Sequence, residues 1–247
     1  MAKDAALGRL FGKVAAFFRG PVEQVDGVWT RKLSKPQLED ISNNFPAYRV
    51  DLPDGTSRLY KLNPDMDIGY GVPANKMINR EVGASITDRH LGFGLVPRTT
   101  FWEGPYGKGS LQDWLHDATP GKLPHEYDRL DQQRMAVLDY VMGSGDRNIG
   151  NVFTHHGRPA ATDNSISFPR YDDEVIRSTY VKNHVGQQLD ADVLAQVNAV
   201  DPVRLAADLK DAGIDAQSVT NAMSRLREIQ SNGAITGRYW RGDIIEW

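Results

Sequence analysis

Asp146, Asn151 and Asp163 are the residues whose types and spacing point most clearly to chemistry. The first two lie in the run Gly143-Ser144-Gly145-Asp146-Arg147-Asn148-Ile149-Gly150-Asn151, and the third opens Asp163-Asn164-Ser165 a short hairpin later. Nucleotide phosphoryl transfer requires one carboxylate to orient or deprotonate the acceptor. It also requires a second carboxylate and an amide oxygen to hold hard Mg2+ ions on the phosphates. Asp146, Asp163 and Asn151 supply that set. An Asp and an Asn five apart also occur simply as turn caps, so the pattern gains weight from two residues upstream. Lys61 on a strand and Glu81 on the following helix form the pair in which a lysine reaches the α- and β-phosphates and a glutamate fixes its position. The alternative for that pair is a surface ion pair, worth under about 1 kcal/mol.

These side chains need elements to position them. Ala47 to Leu52 and Ser57 to Leu62 read as two strands of a hairpin around Pro53-Asp54-Gly55-Thr56, with Lys61 in the second. Asp65 to Pro73 reads as loop. Ile78, Val82 and Ile86 form one stripe of a helix carrying Glu81, with Gly92 as its C-cap, and a strand from Leu95 to Trp102 follows. The turn Gly104-Pro105-Tyr106-Gly107 leads into a strand from Gly109 to Leu115. Met135, Leu138, Val141 and Met142 define a core-facing helix that ends at Gly143 and delivers the Asp146 loop. Asp201-Pro202 and Asp215 then start two more helices, ending at Gly213 and near Gly233. The shift from strand-rich to helix-rich near Gln112 predicts an α+β, bilobal arrangement with a cleft between the lobes. Its parts are an N-terminal helix (1–20), a sheet-rich lobe with one internal helix (21–111) and a mainly helical lobe (112–247).

Strand lysine, helix glutamate, Asp/Asn loop and second Asp stand in the order of a bilobal kinase. Gly145 to Asn151, Thr162-Asp163-Asn164-Ser165-Ile166-Ser167-Phe168-Pro169 and Tyr60-Lys61-Leu62-Asn63-Pro64 resemble the phosphatidylinositol 3- and 4-kinase-like branch of the protein-kinase-like fold. That branch includes HipA-type toxin kinases and small bacterial or phage forms, and the likeness is close to the type II phosphatidylinositol 4-kinase pattern. It covers roughly Ile41 to Pro169. The resemblance implies ATP and Mg2+ as cofactors, with Lys61 on the phosphates and Glu81 as its partner. Asp146 becomes the catalytic base, and Asn151 and Asp163 the metal ligands. Gln112, Asp113, Trp114 and Leu115 would form the hinge that meets adenine, and Ser42-Asn43-Asn44-Phe45 stands where a phosphate-covering loop belongs. The sequence departs from the pattern in three places. That loop has no glycine, Asn148 replaces a frequent His, and Ser165 replaces the usual Gly.

Composition narrows the chemistry. The 247 residues include no cysteine, which excludes disulfides, thiolate zinc sites and thiol catalysis. A net charge of −3 provides no global field for nucleic acid or an anionic membrane. His155-His156-Gly157 reads as a hairpin tip, since adjacent side chains on a turn diverge. In residues 1–20, Lys3, Arg9, Lys13 and Arg19 oppose only Asp4, and Leu7, Leu10, Phe11, Val14, Phe17 and Phe18 make an apolar stripe. That segment is expected to pack on the protein's own body, with a partner or membrane surface as the alternative. No signal peptide is evident, and the expected location is cytoplasmic. The expected activity is that of an atypical kinase with a protein acceptor favoured over lipid. The alternatives are AMP transfer or carboxylate activation on the same fold, and a non-catalytic nucleotide-binding or structural module.

Overall fold

A computed structural model describes residues 22–25, 28–31, 39–42, 46–51, 56–64 and 76–247. The expected N-terminal helix over 1–20, the loop over 65–73 and most of the hairpin turn at 53–56 lie outside these residues.

Five strands form the sheet that carries Lys61: β3 (Glu39–Asp40), β4 (Ala47–Asp51), β5 (Ser57–Leu62), β6 (Thr99–Gly104) and β7 (Gly107–Asp113). They are antiparallel neighbours in the order β3-β4-β5-β7-β6, and Lys61 pairs with Ala47 on one side and Ser110 on the other. A separate antiparallel pair, β1 (Val22–Val25) and β2 (Val28–Arg31), precedes them. Gly109, opposite Leu62, is required by close approach. A Cβ there would fall 2.3 Å from Tyr60 Cε2 and 2.4 Å from the main-chain oxygen of Lys61.

Helix α1 (Met77–Leu91) lies against β6 and β7 and also meets the helical half of the chain. It is buried nearly all round, so its polar residues must find partners inside the protein. Ser85 Oγ accepts from Thr99 N–H, and Asn79 donates to the Ala212 carbonyl. Asp88 accepts from the N–H groups of Leu95 and Val96. This last bond corrects the expected strand over Leu95–Trp102. The carboxylate of Asp88 takes the N–H groups that a strand would use, so Leu95 to Arg98 is an irregular connection with a bend at Val96, and β6 begins at Thr99.

Helix α2 (Arg129–Met142) is the centre of the second half. Residues Met135 to Met142 are all fully buried, and Gly143 at φ 64° ends the helix. Around it pack α3 (Thr179–His184), α4 (Ala191–Asn198) and α6 (Ala216–Asn232), while α5 (Pro202–Asp211) packs on α6 and α1. The expected N-caps are in place: Asp201 accepts from Val203 and Arg204, with Pro202 following, and Asp215 accepts from Gln217 and Ser218. Two short sheets complete the unit. One orders β10 (Arg158–Ala161), β9 (Val152–His155) and β8 (Thr119–Pro120), and the other pairs β11 (Ile176–Arg177) with β12 (Ile244–Ile245) in parallel. The architecture is the α+β, two-lobed one expected.

Gly109→Ala drives a methyl group into the main chain at Lys61, which cannot move without breaking the β5–β7 ladder. The expected loss is about 1–3 kcal/mol of stability, read as a lower urea midpoint. An unchanged midpoint contradicts the close packing described here.

Candidate active site

The two halves meet at a cleft of about 450 Å3 whose walls include Lys61, Glu81, Asp146, Asn151 and Asp163. The chain therefore brings together residues from a strand, a helix and two loops separated by up to 102 positions.

Lys61 Nζ donates to Glu81 Oε1 at 2.7 Å and to Asp163 Oδ1 at 3.2 Å. Glu81 is almost wholly buried, and its second oxygen accepts from the main-chain N–H of Asn164 at 3.2 Å. Burial pushes the Glu81 carboxyl up, while the Lys61 ammonium opposes that shift. Burial likewise works against the charge on Lys61, but Glu81 and Asp163 outweigh it and raise the group above an ordinary lysine. For Asp163, burial is outweighed by Lys61, which holds the carboxyl below its usual range. A charged lysine flanked by two carboxylates results, with Asp163 still about half exposed to the cleft (48%). Asp163 also adopts φ 49°, a left-handed conformation that Asp tolerates better than most residues and that turns up at functional sites. Ser165 Oγ donates to Asp163 Oδ1 at 3.2 Å, so the serine standing in place of glycine orients the carboxylate.

Asp146 is held at both oxygens. Asn148 Nδ2 donates to Oδ1 at 3.0 Å and Asn151 Nδ2 to Oδ2 at 3.2 Å, with a further bond from Asn151 Nδ2 to the Asp146 carbonyl at 2.7 Å. Asn148 also accepts from Gly150 N–H at the start of a 3-10 turn over residues 149–151, which brings the Asn151 amide back onto Asp146. With its nitrogen committed to Asp146, Asn151 has its amide oxygen left for a ligand in the cleft.

The loops themselves are fixed by Arg147. Its Nε donates to both oxygens of Asp139 at 3.0 and 3.3 Å, and Nη1 to the carbonyls of Asn151 and Thr162 at 3.2 and 2.9 Å. Nη2 donates to Asn164 Oδ1. Asp139 is fully buried and also accepts from Ser178 Oγ at 2.7 Å. Burial raises its carboxyl and Arg147 opposes that shift. Asp139, the buried partner of Arg147, is missed by reasoning from the sequence. The signal was present: Asp139 sits four residues after Met135 and three before Met142, on the apolar stripe, where a carboxylate requires a buried partner.

A second cavity of about 510 Å3 continues the first and shares Ile41, Lys61, Gly150, Asn151 and Asp163 with it. Gln112, Asp113, Trp114 and Leu115 line it. Gln112 and Asp113 prove to be the last residues of β7, and the connection between the halves begins at Trp114. The N–H groups of Asp113 and Trp114 are already bonded to the Arg98 and Ser57 carbonyls, so pairing with a base falls to other groups of this segment. Ser42 is placed differently from expectation. Its Oγ is engaged with both main-chain groups of Ala47, and it lines neither cavity, whereas Ile41, Pro46 and Ala47 roof the cleft. Asn43 and Asn44 lie outside the described residues.

The donor chemistry fits a hard divalent cation. One carboxylate and one amide oxygen facing a common cleft suit an ion that completes its shell with phosphate oxygens and water. Among the described residues no group of three or more His, Asp or Glu forms an all-protein cage.

No protein-family model matches the chain. In sequence it is similar to Protein Rv2133c of Mycobacterium tuberculosis (strain ATCC 25618 / H37Rv), at 27% identity over 120 residues, covering 34% of this chain and 43% of that protein. The match thus spans less than half of the relative's length. In structure the chain is similar to hydra Fam20 with sugar, at a TM-score of 0.53 and 14% identity, covering 84% of this chain and 86% of that one. It is also similar to the Golgi casein kinase, at 0.51 and 15% over 80% and 72% of the two chains. The same kinase with Mn/ADP bound gives 0.50 and 14% over 85% and 75%. The fold is accordingly kinase-like.

Asp139→Ala leaves the Arg147 guanidinium buried without its counter-charge, and is expected to cost about 3–5 kcal/mol. Equilibrium urea unfolding checks this, and wild-type stability in the variant refutes the role given to the pair.

Proposed function

We propose that this protein is an ATP- and Mg2+-dependent phosphotransferase that passes a γ-phosphoryl group to a protein hydroxyl, on a site organised like that of the lipid-kinase-like branch. One observation carries the reading. Lys61 is fixed between Glu81 and Asp163 in the same cleft as Asp146, whose two oxygens are held by Asn148 and Asn151.

Each residue has a defined task. The Lys61 ammonium, kept charged by its carboxylates, binds the non-bridging oxygens of the α- and β-phosphates. Glu81 holds the lysine against the sheet, so little reorganisation is needed when the nucleotide enters. Asp163 and the Asn151 amide oxygen are the residues that would hold Mg2+, which when bound neutralises charge on the phosphates. Asp146 orients the acceptor hydroxyl and takes its proton as the new O–P bond forms and the bond from the γ-phosphorus to the β-phosphate oxygen breaks, releasing ADP. Asn148 and Asn151 keep that carboxylate aimed. The cavity along Gln112 to Leu115 receives the base and ribose, and Ile41 closes it from above.

A protein acceptor is supported by the surface beside the loop. Ile149, three residues after Asp146, is 56% exposed, and the exposed side chains of Leu123 and Trp247 share a shallow depression with it. That apolar shelf suits a side chain flanking an acceptor Ser or Thr. Among the described residues no helix is long and apolar enough to cross a membrane.

Incubation with γ-labelled and α-labelled ATP in parallel tests the reaction. Label is expected to pass to protein from the γ-position alone, and Asp146→Asn is expected to lower the rate about 100-fold or more, with nucleotide affinity retained. Lys61→Met is expected to weaken nucleotide binding as well. Transfer from the α-position supports AMP transfer instead, and equal rates in wild type and Asp146→Asn contradict the assignment of Asp146.

A further inference from the structure

A cavity of about 350 Å3 opens on the far side of the connection that borders the nucleotide cleft, a volume within the range of small-molecule sites. Its wall is built from the irregular connection after α1, the start of the inter-lobe connection and the β9–β10 hairpin. Leu95, Pro97, Trp114 and Leu115 give it an apolar lining, and they belong to elements fixed by the Asp88 bonds and by the bond from Trp114 N–H to Ser57.

The charged groups around that lining are mainly cationic. Arg98 is exposed and makes no ion pair among the described residues. Arg158 uses Nε and Nη2 on Asp131 and the Phe93 carbonyl, while Nη1 lies 3.7 Å from the Cβ position of Gly94, another wall residue. The rings of His155 and His156 do not diverge as expected but lie tilted at 46° with 3.9 Å between centroids, and they add N–H donors at the hairpin tip. Among the described residues of the wall the one carboxylate, Asp113, is already paired with Arg58 at 3.2 Å. An apolar floor under a rim of guanidinium and imidazole groups selects one kind of ligand: a flat or compact apolar body bearing a phosphate or carboxylate.

We propose that this cavity is a second binding site, for a small organic anion, coupled to the nucleotide cleft. The coupling has a physical carrier. Asp113, Trp114 and Leu115 wall both cavities, so a ligand that fixes them on one side biases the shape offered to a nucleotide on the other. That coupling rests on the nucleotide reading given above, whereas anion binding does not.

Isothermal titration of the full chain with 1-naphthyl phosphate and 1-naphthoate tests both parts, with 1-naphthol and inorganic phosphate as controls. Either or both anions are expected to bind at one site, the better of them showing whether phosphate or carboxylate is preferred, and the controls are expected to bind about tenfold more weakly or worse. Arg98→Ala, a change at an exposed position, is expected to weaken the anion about tenfold. Lys61→Met, in the other cleft, is expected to leave it unchanged. Saturating Mg-ATP is expected to shift the anion's Kd by about fivefold or more. Wild-type affinity in Arg98→Ala, equal binding of naphthol, or loss of binding in Lys61→Met overturns the site. An anion Kd unmoved by bound Mg-ATP overturns the coupling, and failure of the protein to bind Mg-ATP at all counts against the phosphotransferase while leaving the anion result standing.

Discussion

The Arg147–Asp139 ion pair is the constraint on which the rest of the site depends. Both side chains are removed from water, with Arg147 at 3% exposure and Asp139 at 0%. Two charges pay a large desolvation penalty unless every remaining donor and acceptor is satisfied. The guanidinium therefore reaches to Asn151, Thr162 and Asn164, and the carboxylate to Ser178. In meeting that requirement, the pair fixes the end of α2, the Asp146 loop, the Asp163 segment and the start of α3 relative to one another. The geometry needed for chemistry is thus a by-product of hiding an ion pair.

Asn164 carries this constraint into the other half of the protein. Its side-chain oxygen accepts from Arg147, while its main-chain N–H donates to Glu81, which in turn holds Lys61. A continuous chain of buried polar contacts runs from the helical core to the sheet. Helix α1 is the element through which it passes, and the helix is secured by further polar tethers. Arg80 donates to the Ser167 carbonyl at 2.7 Å, and His90 Nε2 lies 2.7 Å from Asp208 Oδ2. Close packing adds to them, since Gly83 leaves only enough space for Phe168 and Ile214 to approach. A helix held by specific polar bonds as well as by its buried apolar stripe has few alternative positions, and this suits an element that must present one carboxylate to one lysine.

Much of this was legible from local patterns. The Asp146–Asn151 spacing reflects a single 3-10 turn, and the N-caps at Asp201 and Asp215 and the glycine stops at Gly92, Gly143 and Gly233 are governed by neighbouring residues. The partnership of Lys61 with Glu81 was legible because their order and element types match a known division of labour. What escaped the sequence lies only five to eight residues from its partner, but depends on which side chain takes which buried group, and no spacing pattern specifies that. Asp139 looks like an interruption of an apolar stripe until Arg147 is placed beside it. Leu95 and Val96 look like strand until the Asp88 carboxylate takes their N–H groups. Ser42 looked suited to phosphate, but its hydroxyl closes a turn on Ala47, and the apolar Ile41 beside it roofs the cleft instead.

The central proposal is that the site held by this buried polar chain transfers a phosphoryl group. Intact and tandem mass spectrometry of a host lysate incubated with Mg-ATP and either wild-type protein or Asp163→Asn tests it most directly. The account predicts acceptor Ser or Thr residues heavier by one phosphoryl group with wild type and unmodified with the variant. Acceptors carrying AMP, or the same modification from both proteins, would contradict it.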